Sequence, residues 1–169
     1  MKYNTNGSVE RYKVRLVAQG FTQTYGVDYE ETFAPVAKLN SIRMLLSLFV
    51  NLEWSLFQFD IKNAFLNGDL NEEIYMKIPL GFEHKVDNGS VCKLKRSLYG
   101  LKQSPRTWFK KFNMTLSRLG YKQGQVNHIL FIKPTENGKR VILIVYVDDI
   151  IVTGDYMQEI GHPKETIEG

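Results

Sequence analysis

The sequence predicts an α+β fold built on an antiparallel sheet, and three observations carry that prediction. Short strand-like runs at 55–61, 75–78, 91–94, 131–133 and 140–147 are mixed with a few helical patterns, without regular strand–helix alternation. The turn Glu136-Asn137-Gly138 joins two β-rich runs in the manner of a hairpin connection. The run Val141 to Val152 is apolar and β-branched apart from Tyr146 and two adjacent carboxylates, Asp148 and Asp149, set within it.

Each element has its own signal. Asn4 to Ser8 reads as a turn, followed by a strand over Val9 to Ala18 whose hairpin partner would have to precede residue 4, where almost nothing stands. Gly20 to Lys38 is polar and aromatic, holds Pro35, and reads as an extended loop. Asn40-Ser41 caps a helix running to about Asn51, with Ile42, Leu45, Leu46 and Phe49 at helical spacing toward a core. Ser55 to Ile61 is a strand that closes on Asp60, and Lys62 to Leu66 turns into helix before the Asn67-Gly68 break. Tyr75 to Ile78 is strand-like up to Pro79, and Val91 to Leu94 forms another short strand. Ser104-Pro105 opens a second helix, Ser as cap and Pro at the first position, with Trp108, Phe112, Leu116 and Leu119 as its buried stripe and Gly120 as its end. Phe131 to Lys133 then pairs with Arg140 to Val147, and Asp148-Asp149 turns the next hairpin. Residues 1–154 read as one domain, and 155–169 as an irregular tail.

Composition narrows the function. The chain has 169 residues, 43% apolar and 24% charged, which is ordinary for one globular domain with a real core. No apolar stretch reaches the roughly 18 residues of a membrane span, and the N-terminus lacks the apolar core of a signal peptide, so the expectation is an intracellular protein with no membrane role. Cys92, the single cysteine, excludes an internal disulfide and a cysteine-based zinc site. The net charge of +4 hides an uneven distribution. Between Asp87 and Glu136 no acid occurs, while Lys93, Lys95, Arg96, Lys102, Arg106, Lys110, Lys111, Arg118, Lys122 and Lys133 all do, interleaved with Tyr99, Trp108, Phe109, Phe112 and Tyr121. That block reads either as a solvated helical face or as a surface that tracks phosphates, and the lack of balancing acid favours nucleic acid.

The carboxylates carry the chemistry. A charge in an apolar run is unfavourable unless it is paired, solvated or metal-bound. Asp148 and Asp149 fit a hairpin turn, a divalent-cation site, or both at once. Asp60, at the end of the run Leu56 to Ile61, is a third charge in a similar setting. Mg²⁺ takes one or two carboxylates plus waters and phosphates, and two such ions roughly 3.5–4 Å apart clamp both oxygens of a phosphoryl transfer.

Taken together the segments are recognisable. Tyr146-Val147-Asp148-Asp149 resembles the catalytic box of reverse transcriptases. Its companions are Glu10 to Phe21, Thr32-Phe33-Ala34-Pro35-Val36, Phe59-Asp60-Ile61-Lys62-Asn63-Ala64-Phe65-Leu66-Asn67-Gly68, and Leu98-Tyr99-Gly100-Leu101-Lys102-Gln103-Ser104-Pro105-Arg106-Thr107-Trp108. In order and spacing across residues 7 to 154 the set is similar to the Ty1/copia class of retrotransposon polymerases.

The resemblance implies a polymerase palm with partial fingers and no thumb. It implies two Mg²⁺ ions, with Mn²⁺ as a substitute, held by Asp60 and Asp148 with Asp149 in support. It implies an RNA template, a DNA primer, deoxynucleoside triphosphates and the remaining parts of a Pol polyprotein as partners. Phe65 matches the bulky gate beneath the sugar, against the alternative of a core aromatic. Lys13 and Arg15 match cations for the triphosphate, although Arg11 fits a shifted register and a solvated strand face fits all three. Gln103, Ser104 and Pro105 match the loop against nucleotide and template, or serve as a plain helix start. Tyr146, Lys102, Arg106, Lys110 and Lys111 would meet nucleic acid. Asn127-His128 and Ile78-Pro79-Leu80 depart from the family's more usual Asp-His and Gln-Pro-Pro, away from the aspartates. Three functions stay open: an RNA-directed DNA polymerase domain that is truncated, a catalytically silent nucleic-acid-binding remnant, and an interaction module without a nucleic-acid role.

Overall fold

A computed structural model describes residues 1–156 other than 13, 37, 88 and 136. The fold is α+β with an antiparallel sheet, as expected. In chain order the elements are β1 (Lys2–Tyr3), β2 (Val9–Arg11), α1 (Leu39–Asn51), β3 (Ser55–Asp60), β4 (Tyr75–Lys77), β5 (Val91–Lys93), α2 (Ser104–Arg118), β6 (Lys122–Gln123), β7 (Leu130–Pro134), β8 (Arg140–Tyr146) and β9 (Asp149–Gly154). Five strands form the main sheet in the order β3-β9-β8-β7-β6, while β1–β2 and β4–β5 are separate two-stranded ribbons.

The apolar run of β8 is a consequence of its place in this sheet. Side chains alternate along a strand, so a strand covered on one face alternates in polarity and one covered on both does not. On one face Val141, Leu143 and Val145 pack with Phe131, Ile150 and Val152 against Trp108, Phe112 and Leu116 of α2. On the other, Ile142 and Ile144 join Ile129 and Leu45 of α1. All five residues from Val141 to Val145 are therefore buried. Aromatic stacking tightens the first core: Trp108 and Phe112 lie 4.8 Å apart and nearly parallel, and Phe112 meets Phe131 edge-on at 6.0 Å.

Several expectations shift. The first ribbon does have a partner strand, the short β1, and β2 ends at Arg11 instead of running to Ala18. Asn40 and Ser41 lie inside the first turn of α1, whose N-cap is Lys38 with no side-chain cap. Of the predicted core stripe of α1, Leu45 is buried, Ile42 and Phe49 are half-buried, and Leu46 is exposed. One position corresponds to about 100° of helix turn, which carries Leu46 past the rim of the sheet contact. The residues 64–67 form a 3-10 turn instead of α-helix. A short β6, not anticipated, extends the sheet at its outer edge. Of the expected irregular tail, residues 157–169 lie outside the described residues. Among the described residues no helix is long and apolar enough to cross a membrane.

A third cluster sets the stage for the site. Ile74, Leu98 and Leu101 are buried together with Ala18, Leu66, Leu70, Met76 and Leu94 around them, so the loop entering α2 rests on the β4–β5 side of the molecule. The α2 core is the largest of the three buried clusters among the described residues. Leu116, fully buried between α2 and the sheet, gives a direct test: Leu116→Ala should lower the unfolding free energy by about 2–5 kcal/mol, read as a shift in the urea midpoint with unchanged slope.

Candidate active site

The three aspartates meet at one end of the main sheet. β3 and β9 pair antiparallel with Asp60 opposite Asp149, and β8 and β9 pair with Tyr146 opposite Asp149. The connection between β8 and β9 is therefore the two residues Val147 and Asp148, not Asp148 and Asp149 as the sequence suggested. Aspartate favours such turns, but the register with β3 decides here, and it draws Asp149 into the strand. Val147 carries the positive φ of 57° that this tight connection demands, an uncommon state for a β-branched residue. The amide of Ile61 donates to the carbonyl of Asp148 at 2.8 Å, which pins the hairpin tip to the end of β3.

The carboxylates are not buried charges. Asp60 is exposed, while Asp148 and Asp149 are half-buried, so solvation at the sheet's end removes the penalty a mid-strand charge would carry. Asp149 accepts from Gln58 Nε2 at 3.1 Å. Among the described residues neither Asp60 nor Asp148 has a side-chain hydrogen-bond or ion-pair partner, and no three His, Cys, Asp or Glu side chains are already gathered for a metal. The residues present nevertheless fit Mg²⁺: Asp60 and Asp148 offer hard carboxylate oxygens, without a side-chain partner among the described residues, at an open edge where water and phosphate would complete the shell.

Within reach of their charge is Tyr99, which stands in the sequence motif that opens the second helix and among the aromatics of the basic block, with no role of its own expected there. Its ring lies edge-on to Phe65, centroids 5.0 Å apart, and the Arg15 guanidinium carbon sits 5.5 Å from its centroid. Burial raises the Tyr99 phenol above its ordinary value, the Asp148 and Asp60 charges push it further up, and Arg15 opposes them. Phe65 and Arg15 thus pack against one ring, which also feels the charge of Asp60 and Asp148. Lys13 lies outside the described residues.

The loop entering α2 is the start of a helix and is held by its own hydrogen bonds. Gln103 is fully buried and is the N-cap of α2, with Ser104 as its first residue. A directed chain of donors runs through this loop: Lys102 N–H to Gln23 Oε1 at 2.9 Å, Gln23 Nε2 to Gln103 Oε1 at 3.1 Å, and Gln103 Nε2 to the Asp28 carbonyl at 3.0 Å. The Gln103 amide is thereby engaged within the chain. Ser104 Oγ, also buried, donates to the Leu98 carbonyl and accepts from Ser97 Oγ, both at 2.6 Å, instead of capping the helix. Pro105 is half-buried. Lys102 Nζ donates to the Gln23 carbonyl at 3.3 Å and the Tyr29 hydroxyl at 3.2 Å.

The basic block is partly balanced by acids from outside it. Arg106 pairs with Glu72 at 2.5 Å, Lys111 with Asp69 at 3.3 Å, and Lys93 with Glu73. Lys110 is exposed and without an ion pair among the described residues. Arg106, Lys110, Lys111 and Arg118 line a cleft of about 320 Å³ along α2, with Asp69 at its side. Tyr146 is exposed at the hairpin tip.

An antiparallel sheet packed with helices and carrying three aspartates at one end is consistent with the reverse transcriptase resemblance in the sequence. The comparison with known families agrees: the chain matches the reverse transcriptase (RNA-dependent DNA polymerase) family over residues 1–169 and belongs to it. More particularly, its relatives are Pol polyproteins of the Ty1/copia type. It is 45% identical over 155 residues to the Retrovirus-related Pol polyprotein from transposon RE1 of Arabidopsis thaliana, covering 91% of this chain and 10% of that protein. It is 44% identical over 167 residues to that from transposon RE2 of the same plant, 98% of this chain and 11% of that protein. It is also 44% identical over 154 residues to that from transposon TNT 1-94 of Nicotiana tabacum, 91% of this chain and 12% of that protein. The chain thus spans about a tenth of the length of these relatives. No solved structure matches it.

The charge field around Tyr99 is measurable. With its folded pKa raised, the phenol holds its proton over a range where the unfolded chain, titrating near pH 10.0, has released it. Its contribution to stability is therefore complete below about pH 10 and lost as pH rises through the folded value. Asp148→Asn should move the Tyr99 phenolate absorbance midpoint down while leaving it above that of free tyrosine, since burial is the larger cause. Tyr99→Phe identifies the signal by removing it.

Proposed function

We propose that this chain carries the polymerase site of a copia-type retrotransposon Pol protein, adding deoxynucleotides to the 3′-hydroxyl of a DNA primer on an RNA template. The observation that carries the reading is the pairing of Asp60 with Asp149 together with the Ile61–Asp148 bond, which joins sequence-distant carboxylates at one sheet end. In polymerase terms the main sheet with α1 and α2 is the palm, and the N-terminal ribbon with the loop to residue 38 is part of the fingers.

The carboxylates of Asp60 and Asp148, without a side-chain partner among the described residues, serve as the Mg²⁺ ligands, and Asp149, held by Gln58, supports them from the strand. Two Mg²⁺ ions, when bound, supply the activation of the primer hydroxyl and the charge that the leaving pyrophosphate needs. The residues around them position and neutralise, which is where most of the rate in phosphoryl transfer arises. Arg15 meets the triphosphate, with Lys13 beside it in sequence, a task suited to a guanidinium fork. Phe65 stands beneath the sugar. Gln103 and Ser104 act from behind the nucleotide wall by fixing the loop that Lys102 and Pro105 present. Tyr146 lies toward the primer terminus, and Arg106, Lys110 and Lys111 offer charge to the phosphate backbone. The other segments of the Pol polyprotein complete the grip on the duplex.

Primer extension by the purified chain with Mg²⁺ or Mn²⁺ tests this. Asp60→Asn and Asp148→Asn should each cut extension on the order of 100-fold or more, with salt-sensitive binding to RNA–DNA hybrid retained. Extension that survives both substitutions overturns the assignment. Binding without extension by the unaltered chain supports a nucleic-acid-binding role instead.

A further inference from the structure

Phe65 needs support that its own segment does not provide. It sits on the short 3-10 turn Ala64–Asn67, entered through Asn63 in the left-handed conformation at φ 56°. It is half-buried at the border of the α2 core. Across from it stands Tyr99, held from both sides. The Tyr99 carbonyl accepts from the Ala18 amide at 2.7 Å. Gly100 follows at φ +94°, so close to the N-terminal segment that a Cβ there would lie 2.1 Å from the Ala18 carbonyl oxygen. The same approach brings Arg15 over the Tyr99 ring. One aromatic side chain therefore packs against both the residue assigned to the sugar and the residue assigned to the triphosphate.

We propose that Tyr99 is a positioning residue for sugar selection: its ring sets Phe65 and Arg15 at a fixed separation, and so determines how closely the incoming nucleotide's ribose is confined. This rests on the polymerase reading above and adds a residue to it. Edge-to-face rings have a preferred offset, so the contact fixes orientation as well as distance. A Phe65 ring without that neighbour has room to swing, and a 2′-hydroxyl is then no longer excluded. The role belongs to the ring. The phenol is not required to touch the substrate, which sets the outcome of the conservative change.

The test measures equilibrium binding of dATP and of ATP to the full chain, with Mg²⁺ and an RNA–DNA primer–template ending in a dideoxynucleotide so that no chemistry follows. The unaltered chain should prefer dATP by about tenfold or more. Tyr99→Ala should bring that preference to about two- to threefold, while Tyr99→Phe, which keeps both ring contacts, retains the discrimination ratio. Circular dichroism and melting of each variant confirm folding. If Tyr99→Ala proves unfolded, Tyr99→Leu takes its place with the same expected loss. A folded Tyr99→Ala or Tyr99→Leu with the unaltered preference overturns the role of Tyr99 and leaves the polymerase reading standing. An unaltered chain that binds both alike overturns this inference and leaves the polymerase reading standing, whereas one that binds neither overturns both.

Discussion

The hydrogen bond from the Ile61 amide to the Asp148 carbonyl is the constraint on which the site depends. β3 and the β8–β9 hairpin are separated by 79 residues of chain, and only their register makes the aspartates neighbours. Side chains alternate with a period of two, so a slip of one residue would send Asp149 to the opposite face from Asp60 and carry Ile150 and Val152 out of the α2 core. The core and the carboxylates are thus specified by the same ladder. Val147, at φ 57°, stands at its tip. A β-branched residue there is strained, typically by about 1–3 kcal/mol, and the paired strands on either side hold it.

Much of the fold was legible because its signals are local. The 3.6-residue spacing of Trp108, Phe112 and Leu116 marks α2, and β8 shows itself as an unbroken β-branched run. The aspartates stood out because a charge in such a run needs a reason. What escaped reading was set by tertiary pairing. Asp148-Asp149 has the turn propensity, yet the register with β3 moved the turn to Val147-Asp148. Ser104 before Pro105 has the form of a cap, yet its hydroxyl turns inward to Leu98 and Ser97. The basic block has no acid of its own, yet Glu72, Glu73 and Asp69 approach it from outside.

Tyr99 shows why a functional side chain can hide in a motif. It was visible as one of five aromatics among cations, a pattern that points to stacking on bases. Its contacts with Phe65 and Arg15 arise from three separate segments, around residues 15, 65 and 99. Nothing in local spacing announces them. The one available signal was Gly100 directly after it, since glycine often marks a place where two stretches of backbone approach closely.

The donor chain through Lys102, Gln23, Gln103 and Asp28 has a consequence for how the N-terminal loop behaves. Each amide both gives and receives, so the orientation of one dictates that of the next. A half-formed chain leaves the buried Gln103 with an unmatched pole, which makes partial docking worse than none. The segment from Gln23 to Asp28 is therefore held to the start of α2 as a single cooperative unit, in which loss of one amide weakens every bond of the chain.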